Sequence, residues 1–199
     1  MTTSSSDSSG ARVVVAEDEA VIRMDLVEML RELGHDVVGE AFNGQQAVDL
    51  VREKNPDLVF LDIAMPERDG LSAAEEIAGE DLCAVVMVTA FSDRDVAMQA
   101  AEAGAVGYVV KPFTMADLEP AIAVAQARWA QVQALKSEVV NLGERARARE
   151  LVEQAKVLLQ RDHGMSEPEA FAWLRRAAMD RRVTLSEAAA GLAEGSIRP

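Results

Sequence analysis

Five times between residues 12 and 112 a short apolar run stops on a polar residue, and a stretch with helical spacing follows. The runs are Arg12-Val-Val-Val-Ala16, Asp36-Val-Val-Gly-Glu40, Leu58-Val-Phe-Leu61, Cys83-Ala-Val-Val-Met-Val88 and Val106-Gly-Tyr-Val-Val110. Such runs, rich in valine and bounded by turn residues, predict strands buried on both faces. Helices are predicted over residues 20–33, 45–53, 71–78 and 93–103. Gly34 and Gly104 close two of them, and Thr114-Met-Ala-Asp117 opens a fifth. Strict alternation of this kind makes a doubly wound α/β sheet with five parallel strands and right-handed crossovers.

In a parallel sheet the C-terminal strand ends share one edge, where open α/β folds carry their chemistry. Glu17 and Asp18 follow the first run, Asp62 the third, Thr89 the fourth and Lys111 the fifth. Five polar residues thus converge on one crevice. Three carboxylates resist joint ionisation unless a cation intervenes. Mg2+ suits such a site, because it takes one or two carboxylates and keeps room for water and a phosphoryl oxygen. Asp62 can then attack an activated phosphoryl group, with Lys111 stabilising the transferring oxygens and Thr89 bonding the product. A lone Asp62 would read equally well as a turn cap; its four partners, in order, decide for chemistry.

The remaining segments follow different rules. Residues 1–11 are rich in serine and threonine without basic or apolar clusters, which predicts a disordered tail and no signal peptide. Cys83 lies inside an apolar run and reads as a small core residue. Absence of export signals, disulfide pairs and membrane-length apolar segments points to a cytoplasmic protein. After Pro120, residues Ile122, Ala125, Trp129, Val132, Leu135, Val139 and Leu142 recur at spacings of three and four. They predict a connector helix over 121–144 with a narrow, coiled-coil-like seam, covered by a second copy of itself or by the first domain.

Three short amphipathic helices are predicted over 145–195, two of them opened by the capping boxes Ser166-Glu-Pro-Glu169 and Thr184-Leu-Ser-Glu187. The charge reverses here. Residues 1–144 hold 10 basic against 26 acidic side chains, and residues 145–199 hold 10 against 8. Arg145, Arg149 and Lys156 fall within about 40° of one another on a helix. Arg175, Arg176, Arg181 and Arg182 gather at the end of the second bundle helix. Such a group suits RNA phosphates and unstacked bases, although charge alone serves a solvated face equally well. Phe171 and Trp173 read as core, and His35 and His163 lack partners at metal-ligand spacing.

Residues 12 to about 125 resemble the receiver domain of two-component response regulators. The resemblance rests on Glu17-Asp18, Asp62, Met65-Pro66, Asp69-Gly70, Thr89-Ala90 and the run from Gly104 to Phe113. It implies a flavodoxin-like receiver over 12–120 and phosphorylation of Asp62 by a sensor histidine kinase. It also implies Mg2+ held by Asp18, Asp62 and the backbone carbonyl of Ala64. Glu17 stands where many relatives carry Asp, which implies a contact through water. Tyr108 matches the aromatic that turns inward when Thr89 moves, and Lys111-Pro112 matches a cis peptide.

Residues from about 140 to 195 are similar to the ANTAR domain, an RNA-binding output module. The match rests on Leu151-Val-Glu-Gln-Ala-Lys156, the run from Gly164 to Met179, and Arg181-Arg182. Val157 departs from the family, which usually has Gly there. Together the two resemblances imply a phosphorylation-dependent antiterminator that binds structured RNA hairpins. Lys156, Arg175, Arg176, Arg181 and Arg182 would make the contacts, in a homodimer formed on phosphorylation or RNA binding. The competing readings are an adaptor whose bundle binds a protein and, more remotely, a phosphatase-like enzyme; otherwise the chain is expected to be no enzyme beyond its own phosphorylation and dephosphorylation.

Overall fold

A computed structural model describes residues 10–90 and 94–199. Most of the expected tail, and Asp93 at the expected start of the fourth helix, lie outside the described residues. Strands β1 (Arg12–Ala16), β2 (Asp36–Ala41), β3 (Leu58–Asp62), β4 (Ala84–Thr89) and β5 (Gly107–Val110) form one parallel sheet in the order β2-β1-β3-β4-β5. This is the flavodoxin-like order. Helices α1 (Ala20–Glu32), α2 (Gly44–Lys54), α3 (Gly70–Gly79) and α4 (Arg94–Glu102) alternate with the strands.

Alternation along each strand sorts the core into two layers. Val13, Val15, Leu58, Phe60, Val86 and Val88 face Leu26, Val27 and Leu30 of α1. Val14, Ala16, Val59, Leu61, Val85 and Met87 face α2, α3 and α4. Two caps set helices against the functional edge. Asn43 Oδ1 accepts from the Gln46 N–H at 2.8 Å, and Asp69 Oδ1 from the Ser72 N–H at 2.7 Å. Each cap is worth about 1 kcal/mol. Gly70 is required: a Cβ there would stand 1.9 Å from the Asp62 carbonyl oxygen. Its N–H donates to the Ile63 carbonyl at 3.0 Å, which seats α3 directly beneath the end of β3.

The sequence divides residues 114–163 into three pieces, and the structure makes them one helix, α5 (Met115–His163). Gly143 leaves it unbroken, and Pro120, lying in the second turn, removes one backbone hydrogen bond without ending the helix. The apolar seam divides instead. Ile122 and Ala125 are buried with Leu118 against the α1 side of the sheet, and Trp129 packs partly on the same core. Leu135, Val139 and Leu142 are 63%, 69% and 56% exposed.

The chain forms two compact units, Met1–Val132 and Gln133–Pro199. In the second unit the C-terminal part of α5 packs with α6 (Glu167–Arg181) and α7 (Leu185–Ala193) around Ala155, Leu159, Ala170, Leu174 and Ala189. Both expected capping boxes are present. Past α7 the chain turns back and buries Ile197 against Ala178 and Ala188, its N–H donating to the Gly191 carbonyl at 3.0 Å. Among the described residues no helix is long and apolar enough to cross a membrane.

Candidate functional site

The parallel register brings the four strand ends together: Ala16 lies beside Leu61, Asp62 beside Val88, and Thr89 beside Val110. Glu17, Asp62 and Thr89 are buried there, while Asp18 faces solvent. Lys111 Nζ sits between two of the carboxylates, 2.6 Å from Glu17 Oε2 and 3.1 Å from Asp62 Oδ2. Its backbone N–H donates to the Thr89 carbonyl at 2.7 Å, and the Lys111–Pro112 bond is cis. Glu17 is braced on all sides. Its N–H donates to the Ala41 carbonyl, Oε1 accepts from the Glu19 N–H, and its carbonyl accepts from Arg23 Nη1 at 2.6 Å. Arg23 escaped the sequence reading; its position four residues past Glu19, on the first turn of a helix opening beside the acidic pair, was the available signal.

Burial dominates the electrostatics. It pushes the Asp62 carboxyl above the usual range, against the pull of Lys111 and with a further push from Asp18. Burial does the same to Glu17, opposed by Lys111 and reinforced by Asp62. For Lys111 burial works downward, and the two carboxylates more than offset it, so its pKa lies above the usual lysine value.

Carboxylate oxygens of Glu17, Asp18 and Asp62 all lie within 4.8 Å of one another. Glu17 Oε2 is buried and, among the described residues, is met by the Lys111 ammonium at 2.6 Å and by no other donor. Hard oxygen donors, an unsatisfied buried one among them, and an open solvent side fit Mg2+. Ala64 follows Asp62 by two residues in the exposed loop between β3 and α3. Tyr108, on β5, is 53% exposed. It lines, with Thr89, Ile63 and Ala97, a crevice that has no room for a water molecule.

The basic residues of the second unit have unlike surroundings. The stem of Lys156 is covered, and its Nζ lies 2.9 Å from Glu153 and 2.8 Å from Glu167, tying α5 to the start of α6. Arg145, Arg149, Arg175, Arg176 and Arg182 are exposed and carry no ion pair among the described residues. Arg181 Nη1 reaches the Ser196 carbonyl at 3.5 Å. Phe171 is not core: it is 44% exposed, as Met179 is at 69% and Val157 at 58%. Trp173 is only partly buried.

Residues 13–123 match the response regulator receiver domain family, and residues 141–192 the ANTAR domain family. Over 178 residues, 89% of this chain and 87% of the relative, the sequence is 55% identical to the transcriptional regulatory protein PdtaR of Mycobacterium tuberculosis. The chain belongs to the response regulators. The chemotaxis protein CheY of Bacillus subtilis is 42% identical to this response regulator over 103 residues, 51% of this chain and 86% of CheY. The solved receiver domain of the putative response regulator NarL from M. tuberculosis superposes with a TM-score of 0.55 at 31% identity. It covers 57% of this chain and 93% of its own. A chain of the CheX–CheY–BeF3–Mg2+ complex from Borrelia burgdorferi gives 0.53 at 25% identity, covering 56% and 85%. The buried carboxylates, Thr89 and Lys111 of this response regulator all fall inside the receiver match, and its exposed arginines at 175, 176, 181 and 182 inside the ANTAR match.

Proposed function

We propose that this response regulator accepts a phosphoryl group on Asp62 and in that state binds structured RNA through its ANTAR domain, opposing transcription termination. The observation that carries the reading is the Lys111 ammonium held between Glu17 and Asp62 beside the solvent-facing Asp18. Asp18, Asp62 and the Ala64 carbonyl would hold Mg2+ directly and Glu17 through water. The ion supplies charge neutralisation for the transferring oxygens. A relative crystallised with BeF3 and Mg2+ supports the same assignment.

Asp62 attacks phosphorus in line; the new O–P bond forms as the P–N bond to the kinase histidine breaks, and the imidazole, protonated on its other nitrogen, leaves neutral with that bond's electron pair. Lys111 exchanges its contact with Asp62 for one with a phosphoryl oxygen, while Glu17 keeps the ammonium in place. A cleft of about 370 Å³, lined by Ile22, Met29, Lys111, Pro112 and Phe113, gives a kinase domain a docking surface beside the site. The Thr89 hydroxyl bonds the phosphoryl group and frees the crevice it shares with Tyr108, so the ring packs inward. A ligand shifts such an equilibrium only through bonds it makes better in one state, and this bond is that difference.

Output follows through residues 145–195. Arg175, Arg176, Arg181 and Arg182 contact RNA; Lys156 joins them only if Glu153 and Glu167 release it. The exposed Leu135, Val139 and Leu142 pair with a second copy, so that two mildly basic bundles act at high effective concentration. The test is a gel shift with a pool of hairpin RNAs, before and after treatment with acetyl phosphate and Mg2+. Retention that rises on phosphorylation is expected. A chain that retains no RNA in either state would hand the bundle to the protein-binding reading.

A further inference from the structure

A cleft of about 420 Å³ opens on the second unit between the turn after α5 and one stripe of α6. His163 and Met165 form one wall; Glu169, Trp173 and Arg176 form the other. These three recur at spacings of four and three, so they stand above one another on the helix. Trp173 packs one side on the bundle core, beside Leu174 and Ala178, and leaves the rest of its ring to the cleft. Core packing alone would be met by a fully buried aliphatic side chain, as at Leu174. Arg176 is exposed and carries no ion pair among the described residues. Glu169 spends Oε2 on the cap, accepting from the Ser166 N–H at 2.8 Å and from its hydroxyl at 2.6 Å. Oε1 is left for another donor. The cap also holds this carboxyl below its ordinary range, so it is charged at neutral pH.

An aromatic plane, a guanidinium and a carboxylate oxygen in one cleft form a recognisable set. A bare phosphate is disfavoured by Glu169. An apolar peptide side chain would leave both charges unused. A nucleobase uses all three: its face stacks on indole, its N–H edge donates to a carboxylate, and its phosphate meets the arginine.

Resting on the RNA reading above, we infer that the Trp173 cleft receives a single unstacked loop base, with Glu169 accepting from its N–H edge and Arg176 bonding the adjacent phosphate. The bundle therefore recognises its RNA by one extruded base as well as by backbone charge. Trp129 and Trp173 are the two tryptophans of the chain, so Trp129→Phe leaves a single reporter in the cleft.

The experiment uses the full phosphorylated chain and a hairpin selected by it from a pool with a fixed stem and a randomised loop. Indole emission should be quenched with the same midpoint as the gel shift. Trp173→Leu, checked for an unchanged melting transition, should weaken binding on the order of tenfold, and Trp173→Phe should recover most of it. Glu169→Gln, which still caps the helix, should select different loops from the pool. RNA bound with unchanged emission, or Trp173→Leu binding as wild type does, overturns the cleft and leaves RNA binding standing. If no hairpin is selected at all, both fall together.

Discussion

Lys111 and Lys156 are each held by two carboxylates at salt-bridge distance, yet they belong to different kinds of site. The partners of Lys111 are buried, with side chains 1% and 7% exposed; those of Lys156 are 60% and 68% exposed. In the receiver, burial raises both carboxyls above their usual range in spite of the lysine. In the ANTAR domain the hydrogen bond from Lys156 leads, and Glu167 lies below its usual range. The same three groups therefore make a strained charge cluster in one place and an ordinary surface tie in the other. Geometry alone does not separate them; dehydration does.

The sharpest break of this comparison is at Asp62. Asp62→Asn should abolish uptake of a phosphoryl group from acetyl phosphate and Mg2+, read by intact mass; persisting uptake would put the acceptor elsewhere. Next in size, Lys111→Ala should slow uptake on the order of a hundredfold, the scale of losing one charge-stabilising donor. Lys156→Ala should leave the rate unchanged. Equal rates for the two variants would erase the distinction between the lysines. Thr89→Ala should take the phosphoryl group at a near-normal rate but show no change in RNA retention, because the hydroxyl that the proposed switch needs is missing. A normal response in that variant would move the switch away from Thr89.

The smallest effect is in stability, and its sign differs between the regions. A carboxyl whose folded pKa is raised contributes stability that is complete below its unfolded value and is lost as pH rises through the folded one. Glu17 and Asp62 therefore destabilise the metal-free receiver progressively as pH climbs from about 4 upward. Glu167, lowered, contributes above its unfolded value and loses that contribution as pH falls. In metal-free protein at pH 7, Asp62→Asn should raise the receiver's melting temperature by about 2–4 °C for each kcal/mol of relieved strain. The gain should vanish toward pH 4. A gain independent of pH would mean that packing, not charge, is the cause.

The receiver was legible because each of its signals is local. Val13 to Ala16 and Leu58 to Leu61 announce buried strands, and parallel pairing alone then gathers Glu17, Asp18, Asp62, Thr89 and Lys111. The ANTAR domain was less legible because its decisive contacts cross turns. Glu167 lies eleven residues beyond Lys156, and nothing in that spacing announces an ion pair. Phe171 looked like core until Ala170, Leu174 and Ala178 took the buried stripe of α6 and left it outside. The change of pattern after Pro120 marked a change in what covers the helix, from the sheet at Ile122 and Ala125 to solvent at Leu135 and Val139, while the backbone continued unbroken.

Ile197 has a practical consequence. The last packing of the bundle comes from the segment after Glu194, not from a helix, and Ile197 closes over Ala178 and Ala188 like a stopper. Replacing Ile197 by a charged residue, as in Ile197→Asp, would strip about 1.5–3 kcal/mol of burial from a bundle with little to spare. The receiver chemistry would survive such a change. A protein unseated at Ile197 is therefore expected to be phosphorylated fully and still to lose its output.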